Sequence, residues 1–229
     1  MSQVRGQVAV EAALVLPLFV FFTLGLVQLT LMQQARLLTE YGAFQAARAG
    51  SVWNGHLERM RHAALVALVP SFGPSSSPER LARTRERLLE RDLWVGERPW
   101  PGERRLNGVP TRGLVEVALV SPTLEELAAR GVQRQWQELD FDAPGVEELT
   151  LRVRYWFPLR VPWANAWFFQ AWSMARGLRG ADAELATVRS IAASAGTPED
   201  VRYLVPLTAE YRMRWQSNPY RKWIPERAP

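Results

Sequence analysis

Few side chains in this sequence could do chemistry. Cysteine is absent, and the two histidines are His56 and His62. Without cysteine there is no thiol nucleophile, thiolate metal site or disulfide framework. The histidines are six apart, whereas metal ligands on one helix face want the spacing of His-Glu-x-x-His. Both are expected as surface side chains, and no metal site is expected. Glu125–Glu126 and Glu147–Glu148 are adjacent pairs that diverge on a helix or a strand. No Gly-x-Ser-x-Gly, phosphate-binding glycine loop or dinucleotide fingerprint occurs. The chain is therefore expected to be no enzyme and to carry no cofactor. One carboxylate stands apart by its position. Glu11 heads the run Ala12–Met32, 21 residues without a formal charge, whose only polar side chains are Thr23, Gln28 and Thr30.

The element that positions Glu11 is that run. As a helix it reaches about 30 Å, the thickness of a bilayer's hydrocarbon core. A carboxylate at its head is costly in lipid and calls for a function. A secretory signal fits poorly. Its apolar core would be about 7–15 residues with a small-x-small cleavage site, and Leu31–Met32–Gln33–Gln34 is not one. An ordinary anchor accounts for the length but not for Glu11. A type IV prepilin-like signal accounts for both. In it a membrane aspartyl peptidase cuts after a glycine on the cytoplasmic face, here between Gly6 and Gln7, and leaves the apolar helix attached.

That cut has a physical consequence. It exposes an α-amino group on Gln7 that is mostly cationic at neutral pH. Glu11 lies one helical turn further on. When subunits stack with a small axial offset, the carboxylate of one can meet the amine of the next. Opposite charges in a water-poor setting favour both ionised forms. Glu11 then acts as a register device, tolerated in lipid when a partner arrives. Pro17 removes one backbone hydrogen bond inside the run. It reads as a packing kink, or as a soft spot that eases the helix out of the bilayer.

Beyond the membrane, residues 33–69 read as a helical extension. Ala35, Leu38, Gly42 and Ala46 form a smooth strip at helical spacing. Gly50–Ser51 and Asn54–Gly55 break it, and a second helix follows from His56 to Val69. Pro70–Pro78 is a loop. Glu79–Asp92 is a charged amphipathic helix with Leu81, Leu88 and Leu89 on its apolar side, and Val95–Gly113 is a long exposed loop. Three strands are expected at Leu114–Val120, Leu149–Phe157 and Leu207–Trp215. The second sets Leu149, Leu151, Val153 and Tyr155 against Thr150, Arg152 and Arg154. The third sets Leu207, Ala209, Tyr211, Met213 and Trp215 against Thr208, Glu210, Arg212 and Arg214. Period two means one buried and one wet face. Pro122–Leu139 is expected to be helical, and Gln216–Pro229 an extended tail.

Between the last two strands lies PLRVPWANAWFFQAWSMARG. Trp163, Trp167, Phe168, Phe169 and Trp172 either complete the core or form a surface against the membrane interface or another subunit.

The charge balance is 28 − 23 = +5, almost all of it from arginine, with Lys222 as the single lysine. The arginines of Glu79–Asp92 alternate with Glu79, Glu86, Glu90 and Asp92. That is a solvated face of ion pairs rather than the uncompensated groove that nucleic acid would need, so no nucleic-acid partner is expected.

RGQVAVEAALVLPLF, its apolar continuation and QQARLLTEYGAFQAARAG together resemble the TadE-like family of pseudopilins of tight-adherence (Flp-type) pilus systems. The resemblance rests on Arg5–Gly6, Glu11, Leu16–Pro17 and Ala46–Ala47–Arg48–Ala49. Phe157–Pro158–Leu159 fits a segment that follows a strand in such proteins. The resemblance implies a minor pseudopilin, cut by a prepilin peptidase and built into, or priming, a pilus or related secretion apparatus. Its partners would be the peptidase, other pilins and pseudopilins, inner-membrane platform proteins and the lipid bilayer. It would sit in a bacterial inner membrane, N-terminus cytoplasmic and main domain outside, or in a surface filament. The expected fold is α+β and pilin-like: a long N-terminal, partly transmembrane helix packed on a small antiparallel sheet with additional helices. The expected divisions are a leader at 1–6, the transmembrane helix at 7–32, the extension at 33–69 and an extracytoplasmic domain at 70–229. The alternative is a single-pass anchored protein whose outer domain binds a partner with no filament role.

Overall fold

A computed structural model describes residues 2–97, 115–132, 134, 136–140, 147–177 and 203–224. The first helix, α1, runs from Ser2 to Val52, 51 residues, or about 75 Å. It is continuous through Pro17. Then come α2 (Leu57–Leu68), a 3-10 turn (Val69–Ser71), α3 (Pro78–Glu97), β1 (Val115–Ser121), α4 (Leu124–Ala129), β2 (Glu148–Pro158), α5 (Ala164–Gly177), β3 (Leu204–Arg214) and a second 3-10 turn (Arg221–Trp223). The expectation of an α+β chain with a long apolar helix and a small antiparallel sheet holds.

Contacts divide the chain into two units. One joins Met1–Gln33 to Phe157–Val205, the other joins Gln34–Trp156 to Pro206–Pro229. In the second unit, α1 presents the expected small-residue strip. Ala35, Gly42 and Ala46 are buried and Leu38 is half-buried. A methyl group on Gly42 would sit 3.6 Å from the Ala64 carbonyl oxygen and 3.8 Å from Leu68, ordinary van der Waals contact, so α1 and α2 pack closely here with room for a small side chain. At Gly50 the approach is tighter. A Cβ there would come within 2.8 Å of Leu149 and 2.9 Å of the Met60 sulfur.

The break between α1 and α2 is a left-handed pair, Asn54 (φ 56) and Gly55 (φ 79), conformations that Asn and Gly adopt at least cost. The C-terminal segment closes over it. The Ser217 hydroxyl donates to the Ser51 carbonyl at 2.8 Å and accepts from the Asn54 backbone N–H at 3.0 Å, and the Asn54 side chain donates to the Asn218 carbonyl at 2.7 Å.

The sheet order is β1-β2-β3. β1 and β2 are antiparallel, pairing Val115 with Tyr155 and Leu119 with Leu151, with a shift in register between Leu119 and Ser121. β2 alternates as expected: Leu149, Leu151, Val153 and Tyr155 are buried, while Thr150, Arg152 and Arg154 are half-buried. Its arginines meet acids on the neighbouring strands. Arg154 pairs with Glu116 of β1 at 3.5 Å and Arg152 with Glu210 of β3 at 2.6 Å, and Arg212 pairs with Glu148. Glu116 also accepts from the Trp156 indole N–H at 3.1 Å.

Several expectations need correction. β3 begins at Leu204, and its alternating face is only partly covered, because it is an edge strand. Ala209 and Trp215 are buried, Leu207 and Met213 are half-buried, and Tyr211 is exposed, its ring meeting Phe44 edge-on at 5.3 Å. Leu81 of α3 is exposed. Thr84 is buried in its place with Leu88, its hydroxyl donating to the Pro74 carbonyl at 2.9 Å. The side chain of Leu89 lies outside the described residues. α3 extends to Glu97, so the expected loop starts later, and the rest of it lies outside the described residues.

The expected helix over 122–139 shrinks to α4. Thr123 and Glu126 form its capping box, and Gly131 at φ 79 turns the chain out of it. The C-terminal residues are no extended tail either. The Leu139 backbone N–H donates to the Pro219 carbonyl, Glu138 bridges to Tyr220, and Ile224 is buried. Residues 225–229 lie outside the described residues. His62 is exposed as expected, but His56 is half-buried and stacks on Trp223 with ring centroids 3.9 Å apart.

Candidate functional site

The candidate site is the N-terminal half of α1 with the aromatic helix α5. Gly6 and Gln7 lie in the helical backbone of α1, and the Gln7 side chain lies outside the described residues. Glu11 is exposed. Among the described residues no ion-pair partner reaches it, which leaves its carboxylate open to one from another chain. Pro17 is exposed within the continuous helix.

From Glu11 onward α1 shows a run of bare apolar side chains. Leu14, Leu16, Leu18, Phe19, Phe22 and Leu26 are all exposed. Each costs about 1.5–3 kcal/mol in water relative to burial. A bilayer or a neighbouring subunit removes that cost. Of its most apolar 18-residue window only 6% is buried, which separates α1 from the core helix of a soluble domain. The two hydroxyls in the run are satisfied within the helix. Thr23 donates to the Phe19 carbonyl at 2.8 Å and Thr30 to the Leu26 carbonyl at 2.9 Å, as a span without water requires.

Gln28 is the third polar side chain, and it does something different. It is fully buried, and its Oε1 accepts a hydrogen bond from the Val161 backbone N–H at 2.9 Å. Val161 opens the loop into α5. Phe168 lies 3.9 Å from where a Cβ on Gly25 would be, and Trp167 meets Phe21 edge-on at 5.8 Å. α5 is thus docked along α1 at positions 21, 25 and 28. On the other side, Phe169 meets Tyr203 at 5.6 Å, and the Leu159 N–H donates to the Tyr203 carbonyl at 2.9 Å.

The five aromatic residues do not behave alike. Trp163 is 80% exposed and Trp167 56% exposed, while Phe168, Phe169 and Trp172 are half-buried. Met174 is also exposed, at 69%. None of the five completes a closed core. Gln28 was visible in the sequence only as one of three polar residues in the run. The usable signal was chemical: a glutamine without a helix-internal partner must find one elsewhere when buried.

A second aromatic group sits in the other unit. The Lys222 ammonium lies 3.9 Å from the centroid of the Trp136 ring and 4.7 Å from that of Trp223. Glu138 accepts from the Asn218 side chain at 3.0 Å and from the Tyr220 hydroxyl at 2.7 Å. The Asn218 bond, then the Tyr220 bond, holds the Glu138 carboxyl below its ordinary value, and the same carboxylate raises Tyr220 above the ordinary phenol value. These contacts staple the C-terminal segment down.

Together these features define an α+β protein carried on an N-terminal helix that is long and apolar enough to cross a membrane. Residues 6–48 match the family model described as TadE-like protein. The match takes in Gly6, Glu11, Leu16–Pro17 and Ala46–Ala47–Arg48, so the resemblance read from the sequence holds over most of α1. It links this segment to pilus-related proteins and fits membrane anchoring. No curated protein and no solved structure matches the chain.

Proposed function

We propose that the protein is a TadE-like minor pseudopilin without enzymatic activity. A prepilin peptidase cuts it between Gly6 and Gln7, and the mature chain joins or primes a tight-adherence pilus or a related secretion apparatus. The N-terminus is cytoplasmic and the main domain lies on the periplasmic or extracellular side. One observation carries this reading. The TadE-like match over 6–48 falls on a helix whose apolar run is unburied and headed by a single exposed carboxylate, Glu11. Such a helix needs a lipid or subunit environment, and a carboxylate there needs a cation. The Gln7 α-amine released by the cut supplies one.

N-terminal sequencing of the protein made with and without the peptidase tests the cut. A new N-terminus at Gln7 that depends on the peptidase is expected. An intact Met1 in both, or a cut beyond Met32, rules the reading out.

The exposed aromatic residues of α5 favour one alternative, an anchored protein that binds a partner and has no filament role. In that case an unrelated transmembrane anchor replaces residues 7–32 without loss of function. In a pseudopilin the exchange abolishes assembly.

A further inference from the structure

We infer that α5 is a second membrane-inserted element, a short helix lying in the leaflet nearer Met32 beside the α1 span. The inference rests on the reading of α1 as a membrane helix and goes beyond it, since the TadE-like match ends at residue 48.

Three observations lead to it. The first is composition. Residues 161–175 carry no formal charge and are bracketed by Arg160 and Arg176. Such a segment is apolar in its body and charged at its ends, where arginine can reach the headgroups. The second is exposure. Trp163, just ahead of α5, and Trp167 and Met174 within it are exposed, and in water their surface is costly. Tryptophan prefers the headgroup level of a bilayer.

The third observation is depth, and it selects the occupant. α5 is held to α1 through Val161 on Gln28, Phe168 at Gly25 and Trp167 on Phe21. These α1 positions lie four to eleven residues inside the Met32 end of the uncharged run, or about 6–17 Å along the helix. A bilayer that covers Ala12–Met32 therefore covers the flank of α1 where α5 is docked. Trp167 and Phe21, which meet edge-on, are both exposed, so lipid that meets α1 at Phe21 also meets α5. At 14 residues α5 is about 21 Å long, too short to span. It enters one leaflet and does not cross. The Gln28–Val161 bond satisfies a backbone N–H that would otherwise face hydrocarbon at the start of this insertion.

The absence of cysteine allows a direct test on the full chain in phosphatidylcholine–phosphatidylglycerol vesicles. Single nitroxide labels go on Ala171→Cys and Met174→Cys, which leave every aromatic ring in place. Leu18→Cys serves as the lipid reference and His62→Cys as the water reference. Collision with oxygen and with a water-soluble nickel chelate is read at two protein-to-lipid ratios. The expected result is that 171 and 174 behave like 18, rich in oxygen and shielded from nickel, at both ratios. Nickel access like that at 62, with 18 still in lipid, overturns the inference while leaving α1 a membrane helix. Shielding that disappears on dilution, or spin–spin broadening between labels, assigns the face to a second copy and also overturns it. Nickel access at 18 itself removes the membrane reading of α1, and the inference with it. As a second measurement on the native side chains, brominated-lipid quenching of tryptophan fluorescence is expected to fall when Trp163, Trp167 and Trp172 are all changed to Phe. Unchanged quenching overturns the inference.

Discussion

The Gln28 side chain accepts a hydrogen bond from the Val161 backbone N–H at 2.9 Å, across 133 residues of sequence. A backbone N–H can only donate, so the facing atom of Gln28 must be its oxygen. Gln28→Leu keeps the size and the apolar character of α1 but leaves that N–H buried without its acceptor. An unmet buried donor costs about 1–3 kcal/mol. The expected outcome is faster hydrogen exchange at Val161 and along α5, with α1 unaffected. Gln28→Glu retains an acceptor and is expected to fall between the two. Equal protection of α5 in the wild type and Gln28→Leu would show that ring packing alone holds the helix.

Glu11 has the opposite character: it is exposed and without a partner among the described residues. If its task is to meet the Gln7 amine of a neighbouring subunit, Glu11→Ala separates two steps. Peptidase cleavage at Gly6–Gln7 survives, because the peptide bond is untouched. Incorporation into the filament fails, because the register pair is lost. Immunoblotting of membrane and filament fractions reads both steps in one experiment. Normal recovery of the variant in the filament fraction would remove the pairing role.

What could be read in the sequence was whatever repeats with a short period. The small-residue strip of α1 and the alternation of β2 each encode their own burial, and each holds; the 21-residue uncharged run forms part of a helix long and apolar enough to cross a membrane. Boundaries and long-range partners do not repeat. Nothing near Gln28 in sequence points to Val161. Nothing within Gln216–Ile224 says that it will close over Asn54. Tyr211 sits at a position whose parity says buried, but β3 is an edge strand and the ring stays partly open. Helix 122–139 failed on one residue, Gly131, whose left-handed φ ends a segment of otherwise good helix formers. For the site, residue type identified Glu11 and the aromatic residues. Only the contacts separate Trp163, which projects, from Phe168, which is docked.

Gly55 offers a backbone test of the α1–α2 break. Its φ of 79° is disfavoured by about 1–2 kcal/mol for a residue with a Cβ. A Cβ would also come within 3.2 Å of the Trp215 ring. Gly55→Ala is expected to destabilise by roughly 1–3 kcal/mol, read as a lower melting temperature of the full chain in detergent. An unchanged melting temperature would mean that the turn can relax out of the left-handed region.

The Trp156 indole donates to Glu116, and Trp156 is almost fully buried. Glu116→Ala withdraws that acceptor and one partner of Arg154. The expected loss is about 1–3 kcal/mol, measured by thermal unfolding in detergent. Glu116→Gln keeps an acceptor and is expected to lose less. In a Trp156→Phe background there is no indole N–H to strand, so Glu116→Ala should cost less than in the wild type. Additive losses would place the contribution of Glu116 in its pairing with Arg154 instead.

The Glu138–Tyr220 contact makes attachment of the C-terminal segment depend on pH at both ends. Glu138 is held below its ordinary value of 4.5. Its contribution is present above the unfolded value and is lost as pH falls through the folded one. Tyr220 is held above its ordinary value of 10.0. Its contribution is full below the unfolded value and is lost as pH rises through the folded one. The staple should therefore be strongest between those limits and loosen beyond each. Proteolysis or hydrogen exchange of residues 216–224 follows the loosening. Glu138→Gln keeps a neutral acceptor and should abolish the acid-side change while leaving the segment attached. Tyr220→Phe should abolish the alkaline one. An acid-side change that persists in Glu138→Gln would show that Glu138 is not its source.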